Sequence, residues 1–357
     1  MKNLNIPKIS IILPIYNVQD YLNQALDSLV QQTYSDIEII CVNDGSTDNS
    51  LSILESYEEK DNRIIKINQS NMGVAEARNK AIKISRGEYL MFVDGDDWLE
   101  VDACKILIET MEKHYPDVVM YTYVREYKDK SLNKHIFDDE LIIFDQLECK
   151  KLHRRHAGII GSELKSPESA DALCSSATKL FKSSIIKQHN IKYIDNKIIG
   201  TYEDGLFNLF YYEHVKKAVY INQYLYHYRK TNINSIVSAY KPTLTSLWNN
   251  MFDIIENYIK KKSLGSEFSE GLSNRIAISS MVLGLNVISS DKGISDKYKE
   301  VSAIIKCPRY CKAVADLKID FMPIHWKFFY TSAKYKITAF VLILLFAIQE
   351  LKKEFRK

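Results

Sequence analysis

Glycine-rich phosphate cradles are missing from this chain. No Gly-x-Gly-x-x-Gly follows the first strand-like run, and no Gly-x-x-x-x-Gly-Lys-Ser/Thr occurs anywhere, so neither of the two common backbone cradles for nucleotide phosphates is supported. Phosphate charge would have to be met by side chains and metal. Cysteines are few and scattered. Of Cys41, Cys104, Cys149, Cys174, Cys307 and Cys311, only the last two are close, and no second pair or histidine cluster completes a zinc site. That is the usage of reduced thiols in a cytosolic protein. Residues 1–7 are polar and lack the apolar core of a signal peptide, so the chain is expected to start and stay in the cytoplasm. A formal net charge of only +3 argues against a general nucleic-acid binder.

What is present begins with residues 89–98, Tyr-Leu-Met-Phe-Val-Asp-Gly-Asp-Asp-Trp. A short run of strand-forming apolar residues ends in three carboxylates, Asp94, Asp96 and Asp97. In open α/β sheets the carboxyl ends of the strands border the ligand crevice. Carboxylates this close repel one another unless a cation sits among them, and Mg²⁺ or Mn²⁺ takes oxygen ligands of this kind. The competing reading is an acidic turn that caps the next helix.

With 357 residues, 46% of them hydrophobic, the chain can bury a sizeable core and form two domains or one domain with a large appendage. Strand-like runs at residues 9–13, 37–42, 64–67 and 89–93 alternate with helical spacing at 20–32, 50–57 and 74–85. This pacing predicts βα units and a parallel sheet flanked by helices. Three successive strand ends then carry ligand-type residues: Pro14-Ile15-Tyr16-Asn17, Asp44 with its glycine turn, and Asp94 with Asp96. All would point into one crevice, which three unrelated surface turns would rarely do.

Four pieces of the chain resemble the inverting family 2 glycosyltransferases of GT-A fold, particularly bacterial enzymes that build capsular or other surface polysaccharides. They are Ile12-Leu13-Pro14-Ile15-Tyr16-Asn17, Val42-Asn43-Asp44-Gly45-Ser46-Thr47-Asp48, Gly73-Val74-Ala75-Glu76-Ala77-Arg78-Asn79 and Phe92-Val93-Asp94-Gly95-Asp96-Asp97; Tyr202-Glu203-Asp204 adds a fifth. The match is specific over residues 7–125, looser to about 240, and weak beyond. The resemblance implies an α/β GT-A (Rossmann-like) fold, a mostly parallel sheet flanked by helices, with a helical C-terminal extension. It further implies that Tyr16 stacks on the nucleotide base, beside Pro14 and Asn17, and that Asp44 accepts a hydrogen bond from it, which suits uracil. Asp94 would hold the ribose, Asp96 with Asp94 the Mn²⁺ or Mg²⁺ ion that bridges the diphosphate, and Arg78 would balance these acids. A surface helix face is the plainer reading of Arg78 and Asn79. Asp48 reads as a helix cap.

The chemistry follows from charge. Displacing a nucleoside diphosphate from an anomeric carbon builds negative charge that a divalent cation stabilises, while the acceptor hydroxyl must lose its proton to a nearby carboxylate. By resemblance Asp204 is that base and Glu203 its neighbour and second choice; without the family, a Glu-Asp pair before an apolar helix is first of all an N-terminal cap. Arg229 is a candidate phosphate contact and His227 a weaker one for metal or phosphate, although relatives more often carry another aromatic there. His153, Arg154, Arg155 and His156 form a basic cluster that could face an anionic acceptor or sit on a solvated loop.

The predicted organisation is a nucleotide-sugar-binding and catalytic domain over residues 1–240, with 128–200 on the acceptor side, a helical domain over 241–323, and a basic tail over 324–357. That tail holds seven Lys or Arg against two Glu, a balance of +5 that leaves the remaining residues at −2. Its apolar run, residues 337–348, makes a helix of about 18 Å, short of the roughly 30 Å hydrocarbon core. Flanked by aromatics and lysines, it suits the headgroup boundary of an anionic membrane; the competing use is packing on the protein or a homodimer contact. The expected activity is transfer of a hexosyl or N-acetylhexosaminyl group from a UDP-sugar to a hydroxyl of a polyprenyl-diphosphate-linked glycan, at the inner face of the cell membrane. Two rivals remain: a catalytically silent nucleotide-sugar or glycan-binding protein, and a membrane-associated structural component whose acidic turns are only caps.

Overall fold

A computed structural model describes residues 6–232 and 240–354, with side chains to residue 352. The first half alternates as expected: β1 (Ile9–Ile15), α1 (Gln19–Val30), β2 (Ile37–Asp44), α2 (Ser50–Glu58), β3 (Ile64–Gln69), α3 (Val74–Ile84) and β4 (Tyr89–Phe92). A two-residue β5 (Trp98–Leu99) leads to α4 (Ala103–His114), β6 (Val118–Glu126), β7 (Ser131–Lys134), β8 (Leu141–Phe144) and α5 (Gln146–Ala157). Then come β9 (Lys179–Lys182), α6 (Ser183–Gln188), α7 (Asn196–Ile199), α8 (Glu203–Tyr212) and β10 (Ala218–Arg229). The remaining helices are α9 (Leu244–Lys261), α10 (Ser266–Ile288), α11 (Ile294–Lys306), α12 (Pro308–Asp316), α13 (Ile324–Lys334) and α14 (Thr338–Glu354).

The strands form one sheet in the order β3-β2-β1-β4-β9-β6-β10-β5, with β7 on β6 and β8 on β10. From β3 through β4 all neighbours are parallel, whereas β9 runs antiparallel between β4 and β6. Every residue of β2 is buried, which explains its unbroken apolar run: a strand covered by helices on both faces has no polar side to alternate with. On α1 the buried residues Leu22, Ala25, Leu26 and Leu29 recur at helical spacing, so one stripe meets the sheet.

Pairing of β1 with β4 stops at Ile12 and Phe92, while pairing with β2 continues to Ile15. The two strands therefore part just before Asp94. Gly95 closes the gap from above: a Cβ there would lie 3.1 Å from the Pro14 carbonyl oxygen and from Val18, so a larger residue would push the acidic turn away.

The chain divides into two compact units. The first contains the chain up to His153, Cys174–Asn196 and the segment from Tyr202 through β10; the second contains Arg154–Leu173, Lys197–Thr201 and the C-terminal helices. The sequence reading assigned 154–173 to the acceptor-side region of the first domain. In the structure this segment lies against α10: Asn274 donates to the Ile159 carbonyl, and Arg275 donates to the Ala157 carbonyl and pairs with Asp171 at 2.8 Å. Gly158 and Gly271 bring the two backbones together, since a Cβ on Gly158 would lie 1.9 Å from the Gly271 oxygen. Among the described residues, only α10 is long and apolar enough to cross a membrane by length and composition, and most of it is buried.

Candidate active site

Hydrogen bonds from side chain to backbone tie the ends of β1 and β2 together. Asn17, at a positive φ of 51°, accepts from the Thr47 N–H at 2.8 Å and donates its own N–H to Ser46 Oγ at 3.1 Å. Asp48 accepts from the Gln19 N–H at the start of α1 and from the Ser50 N–H at the start of α2, both at 3.0 Å, so it caps two helices. Burial opposes its charge, but the bonds from Ser50 and Gln19 prevail and hold its pKa below the ordinary value. Tyr16 stands 48% exposed on this braced platform, with its ring free to meet a planar ligand.

Asp44 is buried, and its position was legible while its partners were not. Its carboxylate accepts from Gln69 Nε2 at 2.7 Å, the Met72 N–H at 2.9 Å and the Gly73 N–H at 2.8 Å. These donors fix the loop that opens α3. Of roughly four lone-pair sites on a carboxylate, about one is left for a ligand N–H.

Arg78 lies on the buried face of α3, between Ala75 and Ala81, and not on a surface helix face. One guanidinium nitrogen, Nη2, donates to Asp94 Oδ1 at 2.7 Å, and the other, Nη1, to Asp204 Oδ1 at 2.9 Å; Glu203 Oε1 lies 3.9 Å away. The ring of Tyr193 sits 5.0 Å from the guanidinium carbon, and Asn79 holds Tyr193 by exchanging two hydrogen bonds with its backbone. Burial works against the charge of Arg78, but Asp204 and Asp94 prevail and raise its pKa well above the usual value. One buried cation thus ties a strand-end carboxylate to a carboxylate 110 residues further along the chain.

Asp204 is completed by the Ser176 N–H, which donates to Oδ2 at 3.1 Å. Asn208 braces the same turn, donating to the Cys174 carbonyl at 2.9 Å and the Asp204 carbonyl at 2.8 Å. Tyr202, just before the pair, holds a positive φ of 80°, an uncommon conformation for a bulky residue and one that clusters at functional sites. Burial first, and then the charge of Asp204, raise the pKa of Glu203 above the ordinary value.

On the other side of Arg78 is the acidic turn. Asp97 is fully buried and accepts from the Tyr226 hydroxyl at 2.6 Å and the Arg229 N–H at 2.8 Å, so it anchors the turn. Asp96 accepts from Asn232 at 2.8 Å. Burial and the neighbouring acids raise the pKa of both, and the density of negative charge is what a divalent cation would relieve. Among the described residues no three His, Cys, Asp or Glu side chains form a closed metal cage. Asp94 and Asp96 are the carboxylates that would hold such a cation.

Residues 10–162 match the family model described as glycosyl transferase family 2. Over 62% of this chain and 70% of its own length, the glycosyltransferase GlyG of Streptococcus pneumoniae serotype 4 is 30% identical. This chain belongs to glycosyltransferase family 2. EpsH of Bacillus subtilis strain 168, also a glycosyltransferase by name, is 28% identical over 87% of this chain and 86% of its own. The crystal structure of S. aureus TarS 1-349 in complex with UDP-GlcNAc shares the fold, with a TM-score of 0.58 and 17% identity across 96% of this chain and 92% of that one.

In this family 2 glycosyltransferase two expected ligand contacts have partners that the sequence did not reveal. His227, expected as a weaker metal or phosphate contact, has Nδ1 2.8 Å from Glu126 and Nε2 2.8 Å from Glu100, and its ring stacks on Trp98 at 4.9 Å. Both nitrogens are committed to carboxylates, the more common fate of a lone histidine in an aromatic strand. Arg229 is a clamp on the acidic turn. Its guanidinium lies between the rings of Tyr21 and Trp98, at 4.8 and 4.6 Å, while Nε donates to the Asp96 carbonyl at 2.7 Å and Nη2 to Gln24. Three of its five N–H donors, two on Nη1 and one on Nη2, remain for a phosphate.

The basic cluster on α5 also turns inward. Arg154 grips Glu163 with two nitrogens, at 2.6 and 2.8 Å, and His153 and His156 are buried, so the cluster forms neither a solvated loop nor an exposed anion patch. Lys179 is fully buried and donates to the Ser175 carbonyl, bracing the turn that presents the Ser176 N–H to Asp204. Burial pulls its pKa down to about 8. Ser176 was missed altogether, because a backbone N–H leaves no mark in a sequence.

Proposed function

We propose that this glycosyltransferase moves a hexosyl or N-acetylhexosaminyl group from a UDP-sugar to a hydroxyl of a lipid-linked glycan in surface polysaccharide synthesis, inverting the anomeric centre. The observation that carries the reading is the Arg78 bridge, which holds a donor-side acid, Asp94, and an acid at the start of α8, Asp204, on one guanidinium. A leaving diphosphate needs a cation, which Asp94 would help to hold, and an attacking hydroxyl needs a base, so the pairing of these two acids supports the reading. The UDP-GlcNAc held by TarS supports a uridine donor.

Tyr16 stacks on the uracil, and the open lone pair of Asp44 accepts from its N3–H. Asp94 takes a ribose hydroxyl on the oxygen not engaged by Arg78. Asp96 with Asp94 would hold Mn²⁺ or Mg²⁺, whose charge would stabilise the diphosphate as it leaves. Asp204 has accepted two hydrogen bonds and retains about two lone-pair sites, enough to take the acceptor proton. Glu203 is the second candidate for that proton, because its raised pKa makes it the stronger base once ionised.

Calorimetric titration with UDP tests the donor half. Binding is expected in Mn²⁺, weakened at least about tenfold by chelator or by Asp96→Ala, and nearly unchanged in Asp204→Asn. UDP that binds equally with and without metal would remove the metal from the account, and no binding under either condition would remove the uridine donor.

A further inference from the structure

The tail expected to lie on a membrane is split by the fold. On α14, Val341 and Leu345 are completely buried, and Leu345 fills the space beside Gly284 of α10, so this half of the apolar run belongs to the core of the helical unit. The other half faces out. Phe340, Ile343 and Leu351 are exposed at helical spacing, with Ile343 at 62%. On α13 a second stripe, Ile324, Phe328 and then Tyr335 just beyond its end, is exposed at the same spacing, and Ile324 reaches 70%. Residues 335–337, which join the two helices, are also exposed.

Charge separates a lipid surface from a protein partner here. From residue 321 to residue 349 the chain has no Asp or Glu, yet it carries Lys327, Lys334 and Lys336. Among the described residues none of these three lysines takes part in an ion pair, whereas Lys260, Lys292, Lys299 and Lys318 elsewhere in the same unit do. An apolar stripe rimmed by unpaired cations is the composition that seats a helix at the headgroup boundary, where rings and aliphatic chains enter the acyl edge and ammonium groups meet phosphate.

We infer that α13 and α14 form a monotopic docking surface for anionic phospholipid, with Phe328, Phe340 and Ile343 entering the interface and Lys334 and Lys336 meeting the headgroups. The seat depends on the outer faces alone. It requires no spanning segment, and it is independent of which sugar is transferred.

Flotation of the full chain with vesicles tests the inference. One set is phosphatidylcholine alone, and the other an equal mixture of phosphatidylcholine and phosphatidylglycerol. The wild type is expected to float with the mixed vesicles, to be released by high salt, and to stay behind with phosphatidylcholine. Phe340→Ser/Ile343→Ser should abolish flotation while leaving the circular dichroism spectrum and thermal midpoint unchanged, because both side chains already face out. Lys334→Gln/Lys336→Gln should weaken partitioning about thirtyfold. Equal flotation with both vesicle sets, or no flotation together with self-association in sedimentation that Phe340→Ser/Ile343→Ser relieves, would overturn the lipid surface in favour of a protein contact.

Discussion

Arg78 carries more of this site than any other side chain. It is buried, and the acids it joins have no other cation within ion-pair distance among the described residues. Arg78→Ala should destabilise the catalytic unit by about 3–5 kcal/mol, because a buried charge cluster loses its compensation. Denaturant unfolding measures that loss. Arg78→Lys retains the charge but not the fork that reaches two carboxylates, so the protein should fold while transfer falls about a hundredfold. Lys179 offers a pH test. Its folded pKa of about 8 lies below the ordinary 10.5, so between those values the folded state binds fewer protons than the unfolded one, and stability should rise with pH. Lys179→Met should flatten that rise in unfolding midpoints taken across the window.

Individual elements explain which parts could be read from sequence. The four parallel strands at the start and their helices fell within a few residues of expectation because each is a buried apolar run or a clean helical stripe. Strand β9 was harder to place. It is a four-residue piece lying between β4 and β6, and nothing local records that it enters the sheet antiparallel. The partners of Arg229 and His227 were not legible for a related reason. Both stand on β10, whose pairing with β5 carries them against Trp98, and that pairing joins residues far apart in sequence. At this scale the loop before α3 depends on Asp44. Asp44→Ala frees the Met72 and Gly73 N–H groups and should cost about 1–2 kcal/mol, the range of a lost cap, together with donor affinity. Gly158→Ala in the helical unit should cost about 1–3 kcal/mol or more through overpacking against Gly271, with no direct effect on UDP binding. Thermal melts and UDP titration separate the two variants.

Over the whole molecule, the donor half of the site was legible because its residues sit within short motifs at strand ends. Asp204 was named only through the family resemblance, because its partners Arg78, Ser176 and Asn208 are brought to it by tertiary folding. The tail was legible as amphipathic but not as divided, since burial of Val341 and Leu345 depends on α10 supplying Gly284 opposite them. The most direct test of the central claim is release of UDP from a panel of UDP-sugars, in Mn²⁺ and with lipid-extract acceptor, by wild type, Glu203→Gln and Asp204→Asn. The expected result is turnover of one sugar by the wild type, a loss of about a hundredfold or more in Asp204→Asn with UDP binding retained, and a smaller loss in Glu203→Gln. Full turnover by Asp204→Asn, or UDP binding with no sugar consumed by any of the three proteins, would contradict it.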